Sequence, residues 1–268
     1  AASRHSDFVD LAPAAARAGA AVHHCRQVND AATLEAIRAA APDYLFIIGW
    51  SQICGPELMA TCPDRVIGYH PAALPRMRGR AAIPWTIILD EPISAGTLFW
   101  IDAGVDSGPI LEQHFFHIAP DETAATLYDK HMDALRIMLP RALAGMANGT
   151  PRRTVQDERC ATYAARRTPE DGRIDWQRSA VEIDRLVRAV SRPYPGATTQ
   201  AGKQSATIWR TTPLREPSRH HAMPGQIVAR DEGRAVVQTG DGLLRIDEWT
   251  LEEGREPAMH IILGRMNG

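Results

Sequence analysis

Tyr44-Leu45-Phe46-Ile47-Ile48-Gly49-Trp50 is the longest uninterrupted apolar stretch in the chain. Over Tyr44 to Gly49 it has the length and composition of a buried parallel strand. It is far short of the roughly 20 residues a membrane helix needs. Asn29 or Asp30 precedes it as the cap of a helix from Ala31 to about Ala41. Before that, Ala20 to His23 reads as a short strand, and Ser6 as the cap of an Ala-rich helix reaching Ala18. After it come a short helix over Pro56 to Ala60, a strand over Arg65 to Tyr69 and a helix over Ala82 to Leu89. Two further strands follow, Ser94 to Ile101 and Pro109 to Phe116. A long helical region runs from Asp121 to about Met146, with a break expected near Pro140. Strand and helix alternate, which is the pattern of an α/β domain with a parallel sheet.

Beyond Asn148-Gly149-Thr150-Pro151 the pattern changes. One amphipathic helix, Ala180 to Val190, is followed by short β-type runs: Ala206 to Arg210, Gln226 to Ala229, Ala235 to Thr239 and Leu243 to Trp249. Gly240-Asp241-Gly242 reads as a hairpin turn. The expected organisation is an α/β domain over 1–148, a linker over 149–163 and a small, mostly β domain over 164–268.

The chain has 268 residues, with 30 Lys+Arg against 32 Asp+Glu, a formal net charge of -2. That balance excludes coating of nucleic acid by bulk charge. Residues 1–150 hold 11 basic and 16 acidic side chains, and residues 151–268 hold 19 and 16. Four cysteines without a CxxC pair read as reduced thiols, and no signal peptide is recognisable, so the expected location is cytoplasmic. Histidines and cysteines are scattered, so no metal site is expected. GxGxxG, Walker A and GxSxG patterns are absent.

The chemistry concentrates between Gly68 and Gly108. Gly68-Tyr69-His70-Pro71-Ala72-Ala73-Leu74-Pro75-Arg76-Met77-Arg78-Gly79-Arg80 leaves one strand, and Ile101-Asp102-Ala103-Gly104-Val105-Asp106-Ser107-Gly108 leaves another. Ligands bind at that edge of open α/β sheets. A histidine with a carboxylate partner suits proton transfer near neutral pH. On the bare pattern, a histidine ending a strand and an aspartate closing an Asx turn fit equally well.

This block resembles the formyltransferases that use 10-formyltetrahydrofolate, a group including methionyl-tRNA formyltransferase and the amino-sugar formyltransferases. Their pattern is Asn-x-His, a Leu-Pro turn, an Arg-Gly loop and Asp-x-Gly-x-Asp-x-Gly. His70, Leu74-Pro75, Arg78-Gly79 and Asp102 to Gly108 are similar to it. Arg167-Thr168-Pro169-Glu170-Asp171, Ile174-Asp175-Trp176, Val187-Arg188-Ala189 and Pro195-Gly196-Ala197 extend the likeness into the second domain. The resemblance implies a Rossmann-like parallel sheet followed by an OB-like domain, with a strand and helix preceding Ala1.

By the resemblance, His70 and Asp106 carry the catalysis, and 10-formyltetrahydrofolate is the co-substrate, with no metal. His70 would take the proton of an amine or donate to the oxyanion; the sequence leaves both open. Asp106 would orient His70 and relay the proton. The pterin would lie against Trp50, Ser51, Gln52, Ile53 and Cys54, the side chain of Met59, and the loop Asp102, Ala103, Gly104, Val105. Gly68, Tyr69, Arg76 and Arg78 fall at the acceptor side, with Arg80 a further cation nearby. The implied activity is transfer of a formyl group to the amine of a small molecule such as a nucleotide-linked amino sugar, an amino acid or a peptide. A near-neutral chain disfavours tRNA. Gly68 stands where the family has Asn, whose amide polarises the formyl carbonyl. The hydrolase domain of 10-formyltetrahydrofolate dehydrogenase also lacks that Asn and reads Tyr-His-Pro. Hydrolysis of the donor and formimidoyl transfer are therefore alternatives, beside methionyl-tRNA formylation. No membrane partner is expected, and oligomeric state is not legible.

Overall fold

Asp30 accepts a hydrogen bond from the Thr33 amide at 2.7 Å, and so starts the helix that leads into the first strand. The structure is a computed structural model and describes residues 9–49, 52–215, 219–232 and 234–265. In chain order the elements are α1 (Ala12–Ala18), α2 (Ala31–Ala40), β1 (Leu45–Ile47), α3 (Pro56–Met59), β2 (Val66–His70), β3 (Arg78–Gly79), α4 (Ala82–Ile88), β4 (Ile93–Trp100), β5 (Ile110–His117) and α5 (Ala124–Ala147). There follow β6 (Tyr163–Ala164), α6 (Ala180–Val190), β7 (Ala197–Ala201), β8 (Gln204–Leu214), β9 (Ile227–Asp231), β10 (Arg234–Gln238) and β11 (Leu243–Leu251).

Four strands form one sheet in the order β1-β2-β4-β5. β1 lies parallel to β2, with Phe46 opposite Ile67. β4 runs antiparallel to β2, with Gly68 opposite Phe99 and His70 opposite Thr97. The sheet thus contains the expected parallel pairing and is mixed rather than wholly parallel. Every residue of β4 from Ser94 to Trp100 is buried, which suits its mostly apolar or small side chains; the buried Thr97 hydroxyl donates to the Ala72 carbonyl at 2.6 Å.

Five strands form the second sheet, β7-β8-β11-β10-β9, and its neighbouring strands pair antiparallel. The Gly240-Asp241-Gly242 turn joins β10 to β11. α6 opens on a capping box in which Ser179 and Glu182 bond reciprocally, and it buries Ile183, Val187 and Val190 on one face. Those side chains join Ile208, Ile227, Val237 and Leu244 in one core.

The chain divides into two compact units. The first takes the described residues of Ala1–Arg78, Ala95–Phe115 and Ala134–Tyr163; the second takes Gly79–Ser94, Phe116–Asp133 and the described residues of Ala164–Gly268. Within the second, α4 packs on α6.

Two local expectations are corrected, and a third falls partly outside the described residues. Ala20 to His23 is not a strand among the described residues: no described strand pairs with it, and Val22 is exposed. α5 continues through Pro140 without a break in the helix. A proline costs the helix one amide bond locally, and flanking packing of Met138 and Ala142, both buried, holds the turns on either side. The helix expected from Ser6 is described only from Ala12, and Ser6 itself lies outside the described residues.

Candidate functional site

Alternation along β2 decides which side chains share a face. Gly68 and His70 face one way, and Tyr69 the other. The Tyr69 hydroxyl lies over Gly96, beside Ala134 and Met138 of α5: a β-carbon at Gly96 would meet these three at 2.8, 3.0 and 3.1 Å. Burial pushes the Tyr69 phenol well above its usual range, so it stays neutral. The structure therefore does not bring Tyr69 to the His70 side of the sheet.

His70 is the last residue of β2 and is 5% exposed. Its Nε2 lies 2.6 Å from the Met77 carbonyl, and its Nδ1 lies 3.5 Å from Asp106 Oδ2. A carbonyl oxygen can only accept, so the Met77 bond fixes a proton on Nε2 and turns Nδ1 to the carboxylate. The two residues are 36 positions apart in sequence.

Asp106 sits at φ +50°, in the left-handed region, on the loop between β4 and β5. The loop is organised by Asp102, whose Oδ1 accepts from the Gly104 amide at 3.0 Å and the Ser107 hydroxyl at 2.9 Å. Asp102 thus closes an Asx-type turn, while Asp106 is the acid that faces His70. Ala103, Gly104 and Val105 form the exposed crest of this loop. Gly108 is obligatory, because a β-carbon there would stand 1.7 Å from the Trp100 carbonyl oxygen.

Gly68 is covered by its register partner. A β-carbon at 68 would lie 2.8 Å from Phe99 Cε1 and 2.9 Å from Cζ. The space beside the backbone at 68 is filled by an aromatic ring, and no side-chain donor occupies it.

Arg78 is 1% exposed. Its Nε and Nη2 donate to Gln156 Oε1 at 3.1 and 2.9 Å, and its Nη1 and Nη2 donate to Glu158 at 2.9 and 2.6 Å. The Glu158 bonds, foremost, hold the guanidinium above its ordinary pKa. This fork is committed to the protein itself, which leaves it no free pair of donors for an acceptor molecule. Arg76 and Arg80 are exposed.

The expected pterin-side residues divide. Trp50 and Ser51 lie outside the described residues. The Gln52 side chain accepts from the Val28 amide at 3.0 Å and donates to the Arg26 carbonyl at 2.8 Å. Ile53 is 88% exposed, and its carbonyl accepts from Asn29 Nδ2. Cys54 and Met59 pack against the cluster of Val28, Leu34 and Leu58, and burial pushes the Cys54 thiol up. Gln52 and Asn29 thus tie the segment after β1 to the segment before α2.

Gln156 escaped the sequence reading, which placed it in a linker. Its side chain is buried and bonded at both ends, to Arg78 and to the carbonyls of Asp106 and Gly108. Nothing in the local sequence signals this, because its partners lie 48 to 78 residues away. Among the described residues no group of three or more His, Cys, Asp and Glu gathers to hold a metal ion, and no helix is long and apolar enough to cross a membrane.

A family model described as formyl transferase matches residues 6–143, and one described as formyl transferase, C-terminal domain, matches residues 166–264. The chain belongs to the formyl transferase family. Its fold is also that of solved members. A variant of HypX from Aquifex aeolicus superposes with a TM-score of 0.71 at 21% identity, over 91% of this chain and 44% of that one. This chain therefore spans less than half of HypX. HypX in complex with tetrahydrofolic acid gives 0.66 at 21%, over 81% and 37%. The N-formyltransferase from Helicobacter canadensis, in complex with folinic acid and dTDP-3-aminofucose, gives 0.58 at 21%, over 75% and 72%. Methionyl-tRNA formyltransferase from Clostridium thermocellum gives 0.58 at 23%, over 67% and 76%. In this structure His70 ends β2, and Asp106 lies on the loop after β4.

Proposed function

We propose that this chain takes the formyl group from 10-formyltetrahydrofolate and passes it to the amine of a small molecule. The observation that carries the reading is the buried His70 with Nδ1 turned to Asp106, in a chain of the formyl transferase family. The solved relatives supply the donor class: HypX binds tetrahydrofolic acid, and the H. canadensis enzyme binds folinic acid.

In this reading a neutral amine attacks the formyl carbon and the carbonyl oxygen becomes an oxyanion. The new C–N bond leaves an excess proton on the attacking nitrogen. His70 Nδ1 with Asp106 receives it and returns it to the departing folate nitrogen as the old C–N bond breaks. The Met77 carbonyl engages Nε2, which favours proton acceptance at Nδ1 over oxyanion donation from Nε2. No bond to the enzyme forms.

The choice of a small amine rests on charge. Residues 151–268 carry a surplus of three positive side chains, 19 against 16, and the whole chain carries -2. Phosphate contacts dominate the affinity of nucleic-acid binders, so a tRNA substrate would call for more. Hydrolysis of the donor is the second reading. It is favoured by Phe99 over Gly68, which leaves no side-chain amide at that position to polarise the formyl carbonyl.

Incubation of the purified protein with 10-formyltetrahydrofolate, with and without amino-sugar nucleotides and amino acids, separates these. Release of tetrahydrofolate only with an amine supports transfer. Equal release without any amine supports hydrolysis. No release in either case overturns both.

A further inference from the structure

We infer that Gln156 is the positioning residue of this site. Its side-chain amide sets the backbone at Asp106, and through it the approach of the Asp106 carboxylate to His70. The inference rests on the reading of His70 and Asp106 given above.

Gln156 is 5% exposed and makes four hydrogen bonds. Nε2 donates to the Asp106 carbonyl at 2.8 Å and the Gly108 carbonyl at 2.7 Å. Oε1 accepts from Arg78 Nε and Nη2 at 3.1 and 2.9 Å. The orientation of the amide is forced: a guanidinium can only donate and the two carbonyls can only accept. Every polar atom of the side chain is thereby used.

Asp102 closes one side of this loop, and Gln156 holds the other. Asp106 is a non-glycine residue at φ +50°, a region that disfavours side chains, and Gly108 is pressed against the Trp100 carbonyl. Two bonds from one buried amide clamp the turn on both sides of Ser107. The other half of the pair is set from the same stretch of chain. Thr162 Oγ1 accepts from the Met77 amide at 2.9 Å, and the Met77 carbonyl holds His70 Nε2 at 2.6 Å. Residues 156–162 therefore carry the contacts that fix both His70 and Asp106. Placement matters at this scale, since a misplacement of about 1 Å can cost on the order of 100-fold in rate.

The test compares wild type with Gln156→Glu and Gln156→Leu. Glutamate keeps the size and the acceptor for Arg78 and replaces the donor pair by an oxygen facing two carbonyls. The charged groups around it are Arg78 and Glu158 on one side, and Asp106 with His70 on the other. Steady-state release of tetrahydrofolate from 10-formyltetrahydrofolate, with an amino-sugar nucleotide or amino acid as acceptor, is measured between pH 5 and 9, with the melting temperature of each variant. The expected result is a kcat lowered about 10- to 100-fold in both variants at neutral pH, with KM for the folate within about threefold of wild type. Towards pH 5 the glutamate variant regains part of its kcat relative to wild type, because a protonated carboxyl can again donate to Asp106; the leucine variant does not. A role in folding alone would lower the melting temperature without that pH-dependent return. If the leucine variant does not fold, the glutamate variant carries the comparison. Wild-type activity with unchanged kcat in Gln156→Glu, or equal loss at every pH, overturns the inference and leaves the formyl-transfer reading standing. An inactive wild type overturns that reading, and the inference with it.

Discussion

The ring of Phe99 lies across Gly68, its register partner on β4, where any β-carbon would come within 2.9 Å of the ring. Gly68→Asn should therefore be an overpacking substitution costing about 1–3 kcal/mol. Combined with Phe99→Ala it should cost less than the two single changes added together, since the ring is what the new side chain meets. Urea unfolding of the four proteins checks this. Strict additivity would show that the ring does not limit position 68.

Arg78 and Arg76 stand two residues apart and should behave differently. Arg78→Met leaves Gln156 Oε1 without its donors, a loss of about 1–3 kcal/mol, and it should also lower kcat through the loosened Asp106 turn. Arg76→Ala, at an exposed position, leaves the Arg78–Gln156 bonds in place and should lower kcat less than Arg78→Met. Melting curves and steady-state kinetics decide. A stable Arg78→Met protein altered only in acceptor KM would make Arg78 a ligand of the acceptor.

Glu122 links stability to pH in the second unit. Burial works against its carboxylate, but bonds from Lys130, Thr126 and the Ala119 amide outweigh it and hold its pKa below the usual value. A lowered folded-state pKa contributes stability that is present above the unfolded value, about 4.3 for glutamate, and lost as pH falls through the folded one. Glu122→Gln should thus be less stable than wild type at pH 7, with the difference narrowing below about pH 4.3. Melting temperatures across pH 3 to 8 test it. A constant difference would remove Glu122 from the acid response.

Much of the scaffold was legible because it is local. The strand read at Arg65 to Tyr69 forms at Val66–His70, and that read at Ser94 to Ile101 forms at Ile93–Trp100. His70 and Asp106 were legible from their places at strand ends and from their family spacing. The face of Tyr69 was also available, since alternation from His70 sends it to the other side of β2. What escaped depends on distant partners. Ala20 to His23 has strand composition without a neighbour to pair with. Arg78 reads as a cation on the acceptor side until Glu158 and Gln156 meet it across 80 and 78 residues. Gln156 lies in a stretch whose composition suggests only a connection.

Release of tetrahydrofolate from 10-formyltetrahydrofolate in the presence of an amino-sugar nucleotide or amino acid as acceptor, by wild type, His70→Ala and Asp106→Asn, tests the central claim most directly. Wild type should release it, and each variant, still folded, should be slower by roughly 100- to 10,000-fold, the usual contribution of a positioned proton-transfer group. A folded His70→Ala or Asp106→Asn protein that turns over at near wild-type rate would contradict the assignment of this pair.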